Sequence, residues 1–313
     1  MMTISNKLKE RFVRDYKIPI RLYTEPYFTD RIALYDKQFS TLTKWMEFLN
    51  MLGNYDNEEE YFSVYNKVKD DAINFIKSTD AYNEFNSIDM NQFAVTHKNL
   101  PGKDIYHADN IGKDFISIDM KKANFSSMRY YNPKIFDNAN TWEEFLSKFT
   151  DNQHIINSKY IREVILGNCN PKRHITYEKY LMDCFLTKLI QSGLPLNSII
   201  FFSNDEIIID ISKYHLSDKV MVNINALLSI SPVPFKKEKF YLKGIKRTDT
   251  NEIIGYIRCI DDGTVDFKCL NNITYPFVLR KINNECIIES DVIFEYEGIL
   301  SKFIKPFNIE IVG

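Results

Sequence analysis

The 313-residue sequence predicts an α+β protein with a helical N-terminal region, an antiparallel sheet carrying helices on one face, and a β-rich C-terminal module. Three observations carry that reading. Apolar residues recur at helical spacing through the first third of the chain. In the middle, two apolar runs are joined by a tight polar tetrad. Beyond Val220, short runs alternate with turn signals.

Taken in order, "TLTKWMEFLNML" places Leu42, Trp45, Met46, Leu49 and Leu52 on one helical face. "NEEEYFSVYNKVKDDAINFIKSTDAY" repeats the pattern with Tyr61, Val64, Val68, Ile73 and Phe75, so two helices are expected to pack on each other. A Pro-Gly turn in "HKNLPGKD" ends that region. A strand is expected over Phe115 to Asp119, then a short helix capped by Thr141. Helical spacing runs from about Ile155 to Leu166, breaks at Gly167 and Pro171, and resumes from about Thr176 to Ser192. "NSIIFFSNDEIIIDIS" reads as a β-hairpin. From Val220 the chain passes through two prolines into runs with turns at Asp249-Thr250-Asn251 and Asp261-Asp262-Gly263. "TYPFVLRKI", "CIIESDVIFEYEG" and "FIKPFNIEIVG" are expected to continue as strands. These signals divide the chain into 1–110, 111–231 and 232–313.

Composition narrows the function classes. Forty basic residues against 42 acidic ones leave a net charge of -2, so a nucleic-acid site has to be a local basic groove. Cys169, Cys184, Cys259, Cys269 and Cys286 are too few and scattered for a disulfide framework, and read as reduced thiols of an intracellular, cytoplasmic protein. The start is polar, and no apolar run approaches the roughly 20 residues a bilayer span requires, so no membrane partner is expected. His97, His107, His154, His174 and His215 show no metal-ligand spacing, and no Gly-rich phosphate loop is present. Abundant Ile, Asn, Lys, Tyr and Phe fit an AT-rich viral or microbial genome.

Two acidic features stand out: a strand delivering Asp119 at its end, and a turn, Ser203-Asn204-Asp205-Glu206, between two apolar runs. A carboxylate at the tip of a buried strand is costly unless compensated, and a divalent cation is one compensation. The plain alternatives are that Asp119 caps a helix beginning at Met120 and that the tetrad is an ordinary hairpin loop. Lys159 and Arg162, three apart on one helical face, are either a basic wall facing an anion or a solvated face. "PKRH", with Lys172 and Arg173, and "PFKKEKFYLKGIKR", with Phe235, Phe240 and Tyr241, mix cations with rings as nucleic-acid surfaces and exposed strands both do.

In combination these features resemble the palm domain of template-directed nucleic-acid polymerases, the reverse-transcriptase and family B DNA polymerase groups in particular. "IDMKKANFSS" is similar to the first palm motif and "FFSNDEIII" to the third, over about 115–211. The resemblance implies a palm-like core, with fingers-like or supporting helices before it. It also implies addition of nucleotides to a nucleic-acid 3′ end with two Mg²⁺ or Mn²⁺ ions. Asp119 and Asp205 would bind the metal and Glu206 would be the secondary catalytic acid; whether Asp205 or Asn204 holds the essential position is open. Lys159, Arg162, Lys172 and Arg173 would meet the nucleic acid or the nucleoside triphosphate, and Asn124 with Phe125 the sugar. The Pro-Gln-Gly motif of reverse transcriptases and the full family B pattern are missing. The alternative functions are a non-catalytic nucleic-acid-binding or assembly subunit of a viral or phage replication or transcription complex, and a nuclease using the same acids.

Overall fold

The computed structural model describes residues 4–103, 105–214, 216–303 and 307–313. His215, one of the five histidines considered above, lies outside the described residues. The chain is an α+β protein. Its N-terminal part comprises α1 (Asn6–Asp15), α2 (Tyr27–Leu34), α3 (Asp36–Phe39), α4 (Thr41–Leu52), α5 (Glu58–Ser78) and α6 (Asp80–Ser87). Both helices expected from period, α4 and α5, form, but α4 buries Thr41, Phe48 and Leu52, and Leu42 and Met46 of the expected face are exposed. The side chain of Asn57 caps α5 by accepting from Glu60 N, and three glutamates fill its first turn, where they suit the positive end of the helix.

β1 (Asp114–Met120) opens the sheet and is followed by α7 (Ala123–Tyr131), α8 (Trp142–Leu146), α9 (Gln153–Asn157), α10 (Lys159–Gly167) and α11 (Pro171–Gln191). The hairpin of β2 (Ile199–Phe202) and β3 (Glu206–Asp210) comes next, then α12 (Asp218–Ser229) and β4 (Phe235–Arg247). After these follow β5 (Ile253–Ile260), β6 (Val265–Lys268), α13 (Tyr275–Ile282), the hairpin β7 (Ile293–Tyr296) and β8 (Ile299–Lys302), and β9 (Ile309–Val312).

The sheet order is β2-β3-β1-β4-β5-β6, with β9 also on β4, and every pairing is antiparallel. Within it, β1, β2, β3 and β4 with their two helical crossovers form a β-α-β-β-α-β unit of the ferredoxin-like kind. β1 alternates strictly between faces. Ile116, Ile118 and Met120 join the main core under the helices, while Phe115 packs on the opposite face with Ile208, Phe240 and Leu242. That second face also carries Ser117 and Asp119, because they share the parity of Phe115.

Several boundaries differ from the expectation. Asp119 caps no helix: it stays in the strand, and α7 starts four residues later, after Lys122 in the left-handed region (φ +48°). The 155–166 helix is divided at Ser158, whose hydroxyl caps α10 by accepting from Ile161 N. α11 begins at Pro171 and not near Thr176, since proline is well suited to a first helical turn. "TYPFVLRKI" is α13, not a strand; Pro276 again sits in the first turn, and Tyr275, Phe277, Val278 and Leu279 are buried. The change of character placed at Val220 falls inside α12.

The sheet also runs through the 231/232 boundary. β4 is bonded to β1 along the whole of Asp114–Met120, with Asp119 opposite Lys236. The N-terminal helices are tied to the far end of the chain as well. Buried Arg31 of α2 donates to the carbonyls of Ser290 (2.6 Å) and Ile293 (3.0 Å) and lies 3.7 Å from the fully buried Asp291, which Arg280 also holds.

Candidate active site

Asp119 and Asp205 are brought together by two strands and a turn. β1 and β3 lie side by side with Asp119 directly opposite Glu206, and Met120 N donates to the Asp205 carbonyl at 2.7 Å. Directly opposed residues in an antiparallel pair have Cβ atoms about 5 Å apart. The turn that carries Asp205 is fixed from within: Ser203 Oγ donates to Asp205 Oδ1 (3.0 Å) and accepts from Glu206 N (2.9 Å). From outside, Lys179 of α11 donates to the carbonyls of Phe202 (2.9 Å) and Ser203 (3.1 Å), its ammonium 3.5 Å from the centroid of the Phe202 ring.

Asp119 and Asp205 both line one cleft of about 320 Å³, together with Asn124, Lys122, Lys159, Arg162, Glu163, His174 and Glu178. Five of the residues singled out from the sequence therefore meet: Asp119, Asp205, Lys159, Arg162 and Asn124. The Asp119 carboxyl is pushed up to about 6, first by burial and then by the charges of Glu206 and Asp205, with Arg258 opposing. On the facing wall, burial lowers the Arg162 guanidinium, while Glu163 and Glu143 raise it. Lys122 is held on both oxygens of Glu143, and Lys159 lies 3.9 Å from Glu163.

Of Asn204 and Asp205, only Asp205 lines the cleft. Asn204 Nδ2 donates to Glu178 Oε2 at 2.6 Å, and Glu178 Oε1 in turn meets His174 Nδ1 at 2.9 Å, so Asn204 turns toward α11 while Asp205 lines the cleft. Glu206 lies outside that cleft. Its carboxylate accepts from Ser117 Oγ (2.5 Å) and Arg258 (3.4 Å) on the second face of the sheet, beside a separate cleft with Tyr106, Phe201 and Lys268.

Three expected substrate residues stand elsewhere. Phe125 is 4% exposed and packs on Phe136 and Trp142, so a sugar contact is ruled out by its place in the core. Arg173 donates to the carbonyls of Phe85 and Ile88, and Lys172 is exposed on the first turn of α11; neither lines the cleft. Of the other residues weighed, Phe235 packs on Phe185 with its ring tilted by 32° and Phe240 is buried, leaving Tyr241 exposed on β4. Cys169 is buried, and burial pushes its thiol up to about 11, the opposite of an activated nucleophile.

Glu178, Lys179, Ser117 and Arg258 were not found from the sequence. His174 and Glu178 are four apart on α11, and that spacing was the one available signal.

Whether a divalent ion fits can be judged from the donors. Among the described residues, no group of three His, Cys, Asp or Glu side chains is arranged to hold an ion. Mg²⁺ is commonly bound through one or two carboxylates, with water and substrate phosphates completing its shell. The raised Asp119 carboxyl beside Asp205 is an excess of negative charge that such an ion relieves, so the pair fits. Comparison of the chain with protein-family models, curated proteins and solved structures finds no match.

Proposed function

We propose that the chain is a palm-type nucleotidyltransferase that adds nucleotides to a nucleic-acid 3′ end, using Mg²⁺ or Mn²⁺. The observation that carries this reading is the shared cleft: Asp119 and Asp205, from separate segments of one sheet, open on the same space as Lys159 and Arg162. In the reaction, the 3′ oxygen attacks the α-phosphorus of a nucleoside triphosphate, the bond to the bridging oxygen breaks, and pyrophosphate leaves. A divalent cation supplies activation of the attacking hydroxyl and neutralisation of the phosphates. Asp119 and Asp205 would hold it, Lys159 and Arg162 would offset charge on the triphosphate, and Asn124 would lie by the sugar. Glu206 becomes a supporting acid beside Asp119 on the same face of the sheet, outside the cleft. Nucleic acid and nucleoside triphosphates are the partners, with further protein subunits of a viral replication or transcription complex, inside the cell. Among the described residues no helix is long and apolar enough to cross a membrane.

The second reading is a non-catalytic nucleic-acid-binding or assembly subunit, and the want of a three-ligand group among the described residues favours it. One assay separates the two. Wild-type protein with Mn²⁺, a labelled primer and nucleotides is expected to lengthen the primer, and Asp119→Ala and Asp205→Ala are expected to lose this while remaining folded by circular dichroism. Full extension by either variant would sink the assignment.

A further inference from the structure

Arg258 extends from β5 over the second face of the sheet to two carboxylates. Its Nη1 is 3.4 Å from Glu206 Oε1 and its Nη2 is 3.3 Å from Glu238 Oε2. The residue is 7% exposed, and its guanidinium carbon lies 4.0 Å from the centroid of the Phe240 ring. The strand registers account for the gathering: Glu206 is opposite Asp119 on β1, Glu238 on β4 is opposite Ser117, and Arg258 is opposite Leu242. Alternation sends Ser117, Asp119, Glu206, Glu238 and Arg258 to one face. Lys236 adds a half-exposed ammonium 2.6 Å from Glu238 Oε1.

We propose that Arg258 is a built-in counter-cation between Glu206 and Glu238, so that the free protein takes up one divalent ion, at Asp119 and Asp205, and not two. The inference rests on the metal-dependent reading of the cleft and refines its stoichiometry. A guanidinium does not lose its charge in a protein, and its planar fork suits two carboxylates. Burial and the Phe240 face hold it in place, so a small cation approaching Glu206 has to displace a fixed charge. One acid pair is thus neutralised from within, and the other is left for a diffusible ion.

The test counts Mn²⁺ bound to the full chain by electron paramagnetic resonance, without substrate. Wild type is expected to bind one ion, Arg258→Met two, and Arg258→Lys one, since lysine restores the charge. Two ions on wild type, or one on Arg258→Met, overturn the proposal. No ion on wild type with one on Arg258→Met would remove the Asp119 and Asp205 site and keep the role of Arg258; no ion on either protein overturns both. If Arg258→Met does not fold, the double variant Glu206→Gln with Glu238→Gln decides the matter in its place. It is expected to keep one ion, and loss of that ion would place it at Glu206 and overturn the proposal.

Discussion

The side-chain amide of Asn204 donates at 2.6 Å to Glu178, a residue of the cleft wall, so Asn204 is held against α11 while its neighbour Asp205 lines the cleft itself. Asn204→Ala is therefore expected to retain primer extension within a few fold and to lose about 1–2 kcal/mol of stability, because buried Glu178 keeps only His174. Asn204→Asp sets a second carboxylate against Glu178 and is expected to lose more, with no gain in activity. Urea unfolding and primer extension, run in parallel on both variants, check the two halves of this expectation.

Asp119 gives a pH signature. Its folded-state carboxyl is raised to about 6, so the fold disfavours the ionised form. The sign follows from linkage: stability falls as pH climbs from the ordinary carboxyl range toward 6, and the penalty is complete above that. Asp119→Asn is expected to melt higher than wild type at pH 8, with the gap closing as pH drops through 6 toward 4. Mg²⁺ should narrow the gap at pH 8 by stabilising wild type alone. A variant that melts lower than wild type at pH 8 would contradict the assigned environment.

Lys179 acts on Asp205 without touching a substrate. Its two bonds to the carbonyls of Phe202 and Ser203 fix the turn from the helix side, and burial lowers its ammonium against the pull of Asp183 and Asp205. Lys179→Met is expected to cost about 1–3 kcal/mol. Mn²⁺ affinity is expected to weaken several-fold, with little change in the KM for nucleotide. An unchanged Mn²⁺ affinity would show that the turn holds Asp205 in place unaided.

Arg31 and Asp291 offer a test away from the cleft. Removing one partner of a buried pair leaves an uncompensated charge. Arg280 still holds Asp291 in Arg31→Met, so the loss is expected at the low end of that range, about 3 kcal/mol. Chemical denaturation should show the entire transition moving, because the pair joins α2 to the segment around Ser290.

Much of the fold could be read from periodicity. The runs that became α5, β1 and the β2–β3 hairpin each bury one face or both faces of a strand, and burial of that kind is written in local sequence, whereas α4 was legible as a helix but not in its buried face, since Leu42 and Met46 are exposed and Phe48 is buried. Asp119 and Asp205 were legible for the same reason: each is a polar residue at the limit of an apolar run. What escaped is set by distance or direction. Arg258 meets Glu206 across 52 residues, through a strand order that no local pattern encodes. Asn204 and Asp205 differ only in the way each side chain leaves the turn. Phe125 was placed near a sugar by analogy, but the aromatic cluster of Phe136 and Trp142 claims its ring. "TYPFVLRKI" has strand-forming residues, yet a proline suited to a first turn and a buried Phe277-Val278-Leu279 face made it helical.

The ladder between β1 and β4 limits how the chain can be divided. A fragment ending at residue 231 would keep both acids and the basic wall of the cleft, yet it would leave the strand carrying Asp119 with a row of bare amides and carbonyls along one side. Exposed edges of that kind pair with other chains. Such a fragment is expected to aggregate, so a minimal active unit has to include Phe235–Tyr241, residues that contribute no ligand to the cleft.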